Sequence, residues 1–145
     1  MARSVRCGLI QVRNVLGPDQ PLAAIKQAML DRHAELIADA AAQQVQILCL
    51  QELFCGPYFC AEQEARWYEL TERVPNGPTV AWVQGLAKQY GMVIVAPVYE
   101  EEQPGVYYNT AAVIDADGSF LGKYRKTHIP HCKPGFWGEV LHPSG

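Results

Sequence analysis

Two short, largely apolar runs, VQILCL at 45–50 and MVIVAP at 92–97, each follow a stretch of helical periodicity. This alternation limits the folds open to the chain more than any other feature. Apolar runs of this length bounded by polar residues read as buried strands. Ahead of the first run, Leu22, Ile25, Met29, Leu36, Ile37 and Ala40 recur at helical spacing, with Lys26, Asp31, Arg32 and Glu35 elsewhere. The pattern predicts a helix to about residue 43, with Asp19 as its N-cap and Pro21 in its first turn. Ahead of the second run, Val80, Val83, Leu86, Ala87 and Tyr90 line one helical face, with Thr79 as the expected cap and Gly91 as the stop. Residues 5–12 read as a first strand and residues 62–72 as a shorter helical stretch. After the Gln103-Pro104-Gly105 turn, YYNTAAVID (107–115) and SFLGKYRK (119–126) flank Asp117-Gly118, a strong hairpin signal. Strand, helix, strand, helix, strand and hairpin make an α/β layout with a mixed sheet.

The 145 residues fit one domain, and 49% hydrophobic with 19% charged residues is enough apolar material for a core. A net charge of -3 gives no basic footprint, which argues against a nucleic-acid partner. No stretch approaches the roughly 18 apolar residues of a membrane span. The N-terminal run is broken at Gln11 and Arg13 and is followed by no small-residue cleavage site, so neither a signal peptide nor a membrane partner is expected. Cys7, Cys49, Cys55, Cys60 and Cys132 form an odd, scattered set, which fits reduced thiols and a cytoplasmic location. His128, His131 and Cys132, with Cys55 and Cys60, do not have the spacing of a zinc site, and no metal is expected.

Two charged residues stand where a ligand crevice would open. Glu52 directly follows the apolar run 45–50, and the crevice of an α/β sheet lies at its strand ends. Flanked by Leu50, Leu53 and Phe54, its carboxylate is expected to be partly desolvated and so suited to general-base work; the alternative is an exposed loop acid. Lys126 closes the last strand, in KYRKTHIP. Alternation sends Arg125 and Lys126 to opposite faces, so at most one of them enters a pocket. A cation fixed there stabilises an oxyanion; the alternative is a solvated basic edge that discourages strand pairing.

Taken together, LCLQELFCGPYFC (48–60), YYNTAAVID (107–115) and LGKYRKTHIP (121–130) resemble, in order and spacing, segments of the nitrilase superfamily of carbon–nitrogen hydrolases. There a Glu follows a hydrophobic strand, and a Lys precedes an x-His-aliphatic-Pro sequence. The likeness runs from about residue 5 to about residue 136. GPYFCAEQ and HIPHCKPGFW look most like the N-carbamoyl amide hydrolases, the β-ureidopropionase and N-carbamoylputrescine amidase branch. The resemblance implies part of a four-layer α-β-β-α sandwich, this chain supplying some of each sheet. It also implies a Cys-Glu-Lys mechanism on a small amide or N-carbamoyl substrate without metal or organic cofactor. Glu52 would be the acid–base group and Lys126 the oxyanion partner. Tyr58 and Phe59, with Trp67, would shape the substrate pocket or serve as packing aromatics.

The chain departs from the family in two places. The family's nucleophile lies beyond the lysine in a segment such as Cys-x-x-x-Phe-Pro-Glu, and none of the 145 residues form one. Cys7 and Cys49 are expected to be buried strand thiols, Cys55 and Cys60 ordinary loop positions, and Cys132 a poor nucleophile despite its neighbour His131. The family also carries a glutamate directly after a segment like Gly135-Phe136-Trp137, whereas here Gly138 intervenes before Glu139. Residues 1–137 therefore read as the N-terminal part of a carbon–nitrogen hydrolase domain and 138–145 as a divergent tail. Such a fragment is expected to be inactive alone, and either to form homo-oligomers or to pair with a complementing C-terminal half. A non-catalytic, partner-binding remnant and an unrelated α/β domain are the other readings.

Overall fold

The helical spacing between residues 22 and 43 resolves, in a computed structural model that describes residues 4–58 and 64–129, into α1 (Leu22–Ala42). The elements follow in the order β1 (Cys7–Leu9), α1, β2 (Ile47–Cys49), a 3-10 segment (Ala65–Leu70), α2 (Pro78–Tyr90), β3 (Val93–Gln103), β4 (Val106–Ile114) and β5 (Phe120–Arg125). The five strands lie in one sheet in sequence order. β1, β2 and β3 pair in parallel, while β4 and β5 add as antiparallel hairpins. The described strands thus build a single sheet rather than part of each of two.

Register assigns the faces. Leu48, Ile94 and Ile114 form one row across the sheet, Ala96 and Ala112 the next, and all five are buried. Ile37 of α1 and Val80, Val83 and Ala87 of α2 join them in one core cluster. Side chains alternate along a strand, so the intervening rows point the other way. These are Cys7–Ile47–Val93, Leu9–Cys49–Val95–Val113 and Pro97–Ala111–Tyr124. That second face is open: Leu9 is 85% exposed and Tyr124 64%. Burial of both strand faces, expected from the apolar runs, holds for one face only among the described residues.

Both helix starts differ from the sequence expectation. Pro21, not Asp19, is the N-cap of α1, with no side-chain hydrogen bond. Gly77 is the N-cap of α2, and Thr79 lies inside the helix, buried. The backbone N–H of Thr79 donates to Glu72 Oε2 at 2.8 Å, and its hydroxyl donates to Glu72 Oε1. A carboxylate at this end also meets the positive pole of the helix. Lys26 of α1 pairs with the same Glu72, so one carboxylate caps α2 and ties it to α1. Gly91, left-handed at φ 61°, ends α2 as its sequence position predicts.

Candidate active site

The loop that follows β2 turns on Leu53, which holds φ at 50°, a conformation costing a residue with a side chain on the order of 1 kcal/mol. The backbone N–H of Phe54 donates to Pro97 O at 3.2 Å, locking the loop to β3. Leu53 and Phe54 are thereby buried while the intervening geometry leaves Glu52 outside, its side chain 45% exposed. The carboxylate is thus only partly withdrawn from solvent among the described residues, and polar groups supply its partners.

Those partners come from the far side of the sheet. Lys126 Nζ donates to Glu52 Oε1 at 2.7 Å, across 74 residues of sequence. Asn109 Nδ2 donates to the same oxygen at 2.6 Å. Asn109 faces Tyr99 across β3 and β4, and its main-chain oxygen accepts the Lys126 N–H at 2.9 Å. Tyr99 and Asn109 continue the rows of the open face, so the acid, the amide and the ammonium gather at one end of that face. The hydrogen bond to Glu52 holds the Lys126 ammonium above the ordinary lysine value; burial opposes this, and the Glu52 charge and Tyr58 add to it. The Tyr58 ring lies 5.8 Å from Lys126 Nζ, within cation–π reach.

The neighbouring cations go elsewhere, as strand alternation requires. Arg125 bonds Glu100 through Nε at 3.0 Å and Nη2 at 2.9 Å, and Lys123 pairs with Glu100 from the same strand. Thr110 donates to Glu100 Oε2 at 2.6 Å. Burial pushes the Glu100 carboxyl up, but the bonds from Arg125, Lys123 and Thr110 outweigh it and hold it at about 2. This cluster is on the helix-covered face, away from the open one.

Of the expected site residues, Glu52 and Lys126 are brought into direct contact, and Tyr58 lies beside them. Phe59 falls outside the described residues, as do Cys60, His131, Cys132, Glu139 and the tail 138–145. Trp67 is buried under Arg66, 4.2 Å from its ring, and lines a small apolar cleft with Leu53, Pro57 and Tyr99. Two cysteines expected to be buried strand thiols are not, Cys7 being exposed and Cys49 half-buried, while Cys55 is a buried loop residue. Burial pushes the Cys55 thiol up to about 11, a poor nucleophile. Among the described residues no His, Cys, Asp and Glu group is arranged to hold a metal ion. Asn109 is the site residue to which the sequence assigned no role; its signal was its place in the Tyr-Asn-Thr-Ala strand.

Similarity to other proteins identifies the family. The chain belongs to the carbon–nitrogen hydrolase family, whose model matches residues 9–145. It is 39% identical over 130 residues to β-ureidopropionase of Arabidopsis thaliana, covering 88% of this chain and 32% of that one. It is 44% identical over 95 residues to N-carbamoylputrescine amidase of the same plant, covering 66% and 31%. The chain thus spans about a third of the length of these curated relatives. Among solved structures, a carbon–nitrogen hydrolase from Helicobacter pylori G27 superposes with a TM-score of 0.75 at 27% identity, covering 87% of this chain and 40% of that one. An amidase from Nesterenkonia sp. AN1 in complex with butyramide gives 0.56 at 25% identity, covering 74% and 40%. The fold is therefore part of the nitrilase-type α/β fold.

Proposed function

We propose that this chain carries the acid–base part of a carbon–nitrogen hydrolase site that acts on small non-peptide amides or N-carbamoyl compounds. The observation that carries the reading is the 2.7 Å contact between Lys126 Nζ and Glu52 Oε1, assembled on the open sheet face. In this reading Glu52 accepts a proton from a cysteine thiol, and the thiolate attacks the amide or ureido carbonyl. Lys126 stabilises the oxyanion of the tetrahedral adduct. Glu52 then protonates the departing amine or ammonia and activates the water that hydrolyses the thioester. Oε2 of Glu52 is the oxygen that moves the proton, because Oε1 already accepts both the ammonium and the amide. Tyr58, and Phe59 next to it in sequence, bound the substrate.

The thiol comes from a segment that lies on the open face and completes the site, so the chain alone is inactive. That segment belongs to a complementing C-terminal half, and the assembled protein is a cytoplasmic enzyme that forms homo-oligomers. No helix of the described residues is long and apolar enough to cross a membrane. A second reading, a non-catalytic half-domain that binds a partner, draws on the same open face. It differs in needing neither Glu52 nor Lys126.

A chimera separates the two. Residues 1–137 replace the matching third of Arabidopsis β-ureidopropionase, and ammonia release is followed on a panel of N-carbamoyl compounds and simple aliphatic amides. Our reading expects turnover by the chimera and a loss of at least about 100-fold in both Glu52→Gln and Lys126→Ala. Full activity in either variant, or a folded chimera that turns over none of the panel, overturns it.

A further inference from the structure

We propose that Asn109 is a positioning residue that holds the Glu52 carboxylate and the Lys126 ammonium in register with each other. The inference rests on the acid–base reading above and gives that pair its mechanical support. Glu52 lies in a loop and Lys126 just past a strand end, with side chains 45% and 35% exposed. Ion pairs at such exposure gain little from mutual attraction and do not hold one geometry by themselves. Catalysis, in contrast, needs a proton-transferring group held to within a fraction of an ångström.

Asn109 has the bonds to provide that. It is 6% exposed and sits inside β4, facing Tyr99 of β3 on one side and Lys126, just past the end of β5, on the other. Its Nδ2 donates to Glu52 Oε1 at 2.6 Å, and its main-chain oxygen accepts the Lys126 N–H at 2.9 Å. One rigid strand residue is thus bonded to both members of the pair, to one by its side chain and to the other by its backbone. The amide orientation follows from chemistry, since an ionised carboxylate only accepts hydrogen bonds. Two donors converging on Oε1 also restrict the position of that oxygen more than a single ammonium contact does.

The test is nuclear magnetic resonance on the isotope-labelled full chain at neutral pH. Lys126 Nζ protons, assigned by their loss in Lys126→Gln, report the ion pair through slowed solvent exchange. In Asn109→Leu, a near-isosteric change without a donor, we expect their exchange to quicken several-fold while the β4–β5 amide signals stay in place. A buried asparagine that merely satisfied its own amide would leave the Lys126 signal unmoved, and that result overturns the proposal. Should Asn109→Leu fail to fold, Glu52→Ala, which removes the acceptor, gives the reciprocal reading at an exposed position. The Asn109 side-chain amide protons must then move upfield and exchange faster, and unchanged signals are again the overturning result. Neither measurement uses turnover. A positioned pair in a chimera without activity would sink the hydrolase reading alone, while an active chimera with an unmoved Lys126 signal would sink this one.

Discussion

Replacing Glu100 with Gln tests how much of the fold depends on the buried charge cluster. The Glu100 side chain is 1% exposed and accepts from Arg125, Lys123 and Thr110. Its ordinary value of 4.5 is brought to about 2 in the fold. That gap corresponds to about 3 kcal/mol of stability. The sign follows from which state takes up the proton first. A depressed carboxyl favours folding fully above the unfolded value of 4.5, and the benefit is lost as the pH falls through that value toward 2. Glu100→Gln removes the charge but leaves Arg125 its bonds to Glu102 and Lys123 its bond to Val74 O. The expected cost therefore lies near the lower end of that for breaking a buried pair, about 3 kcal/mol at about pH 7, shrinking to about 1 at about pH 3. Equilibrium urea unfolding followed by far-ultraviolet circular dichroism at the two pH values measures both. A difference between wild type and variant that stays constant with pH refutes the linkage. No difference at neutral pH refutes the cluster's structural role.

Two further outcomes follow from the core and the open face. His33 is fully buried, its Nδ1 is 2.8 Å from Met29 O, and Nε2 has no partner among the described residues. Burial holds it below the ordinary 6.5, so the fold favours the neutral ring and loses stability as the pH falls below that value. His33→Leu should flatten the fall in thermal midpoint between about pH 7.5 and about pH 5.5, and an unchanged slope would contradict this. Leu9 and Tyr124 on the open face should drive self-association, with dye binding to apolar surface. Leu9→Lys with Tyr124→Lys should reduce both in size-exclusion chromatography without lowering the unfolding midpoint. A wild-type chain that runs as a monodisperse monomer and binds no dye would rule this out.

What the sequence made legible, and what it did not, divides by range. Helix α1 ends at Ala42 against an expected end near 43, and the hairpins turn where Gly105 and Gly118 stand, both with positive φ. These features depend on spacing and turn chemistry within a few residues. Helix caps failed because the carboxylate that caps α2 is Glu72, seven residues before the Thr79 it receives from and pointing back across the turn. The Glu52–Lys126 pair was legible only through the ordered likeness of three segments, since 74 residues separate the partners. Asn109 stood within one of those segments without a role, because nothing local shows that β4 brings its amide to a loop 57 residues away. The burial of Cys7 and Cys49 was misjudged for a similar reason. An apolar run shows that a strand is covered, but not that the Cys7 side of β1 lies on the open face.

Glu52 and Glu100 show why bonding partners alone are a poor guide to chemistry here. Both carboxylates accept from a lysine and an uncharged side-chain donor, and both are tied to the β4–β5 hairpin. Glu100 adds an arginine fork and near-complete burial, so every oxygen is saturated and no substrate can reach it. Its depressed value measures structural investment. Glu52 takes its two bonds on one oxygen and stays 45% exposed, at the end of the sheet face that the described chain leaves open. An acid–base group must exchange its proton with something outside the fold, and of the two only Glu52 is accessible. Strand alternation produces the division: adjacent residues Arg125 and Lys126 leave β5 on opposite faces, one cation tightening the covered side and the other meeting the acid on the open side.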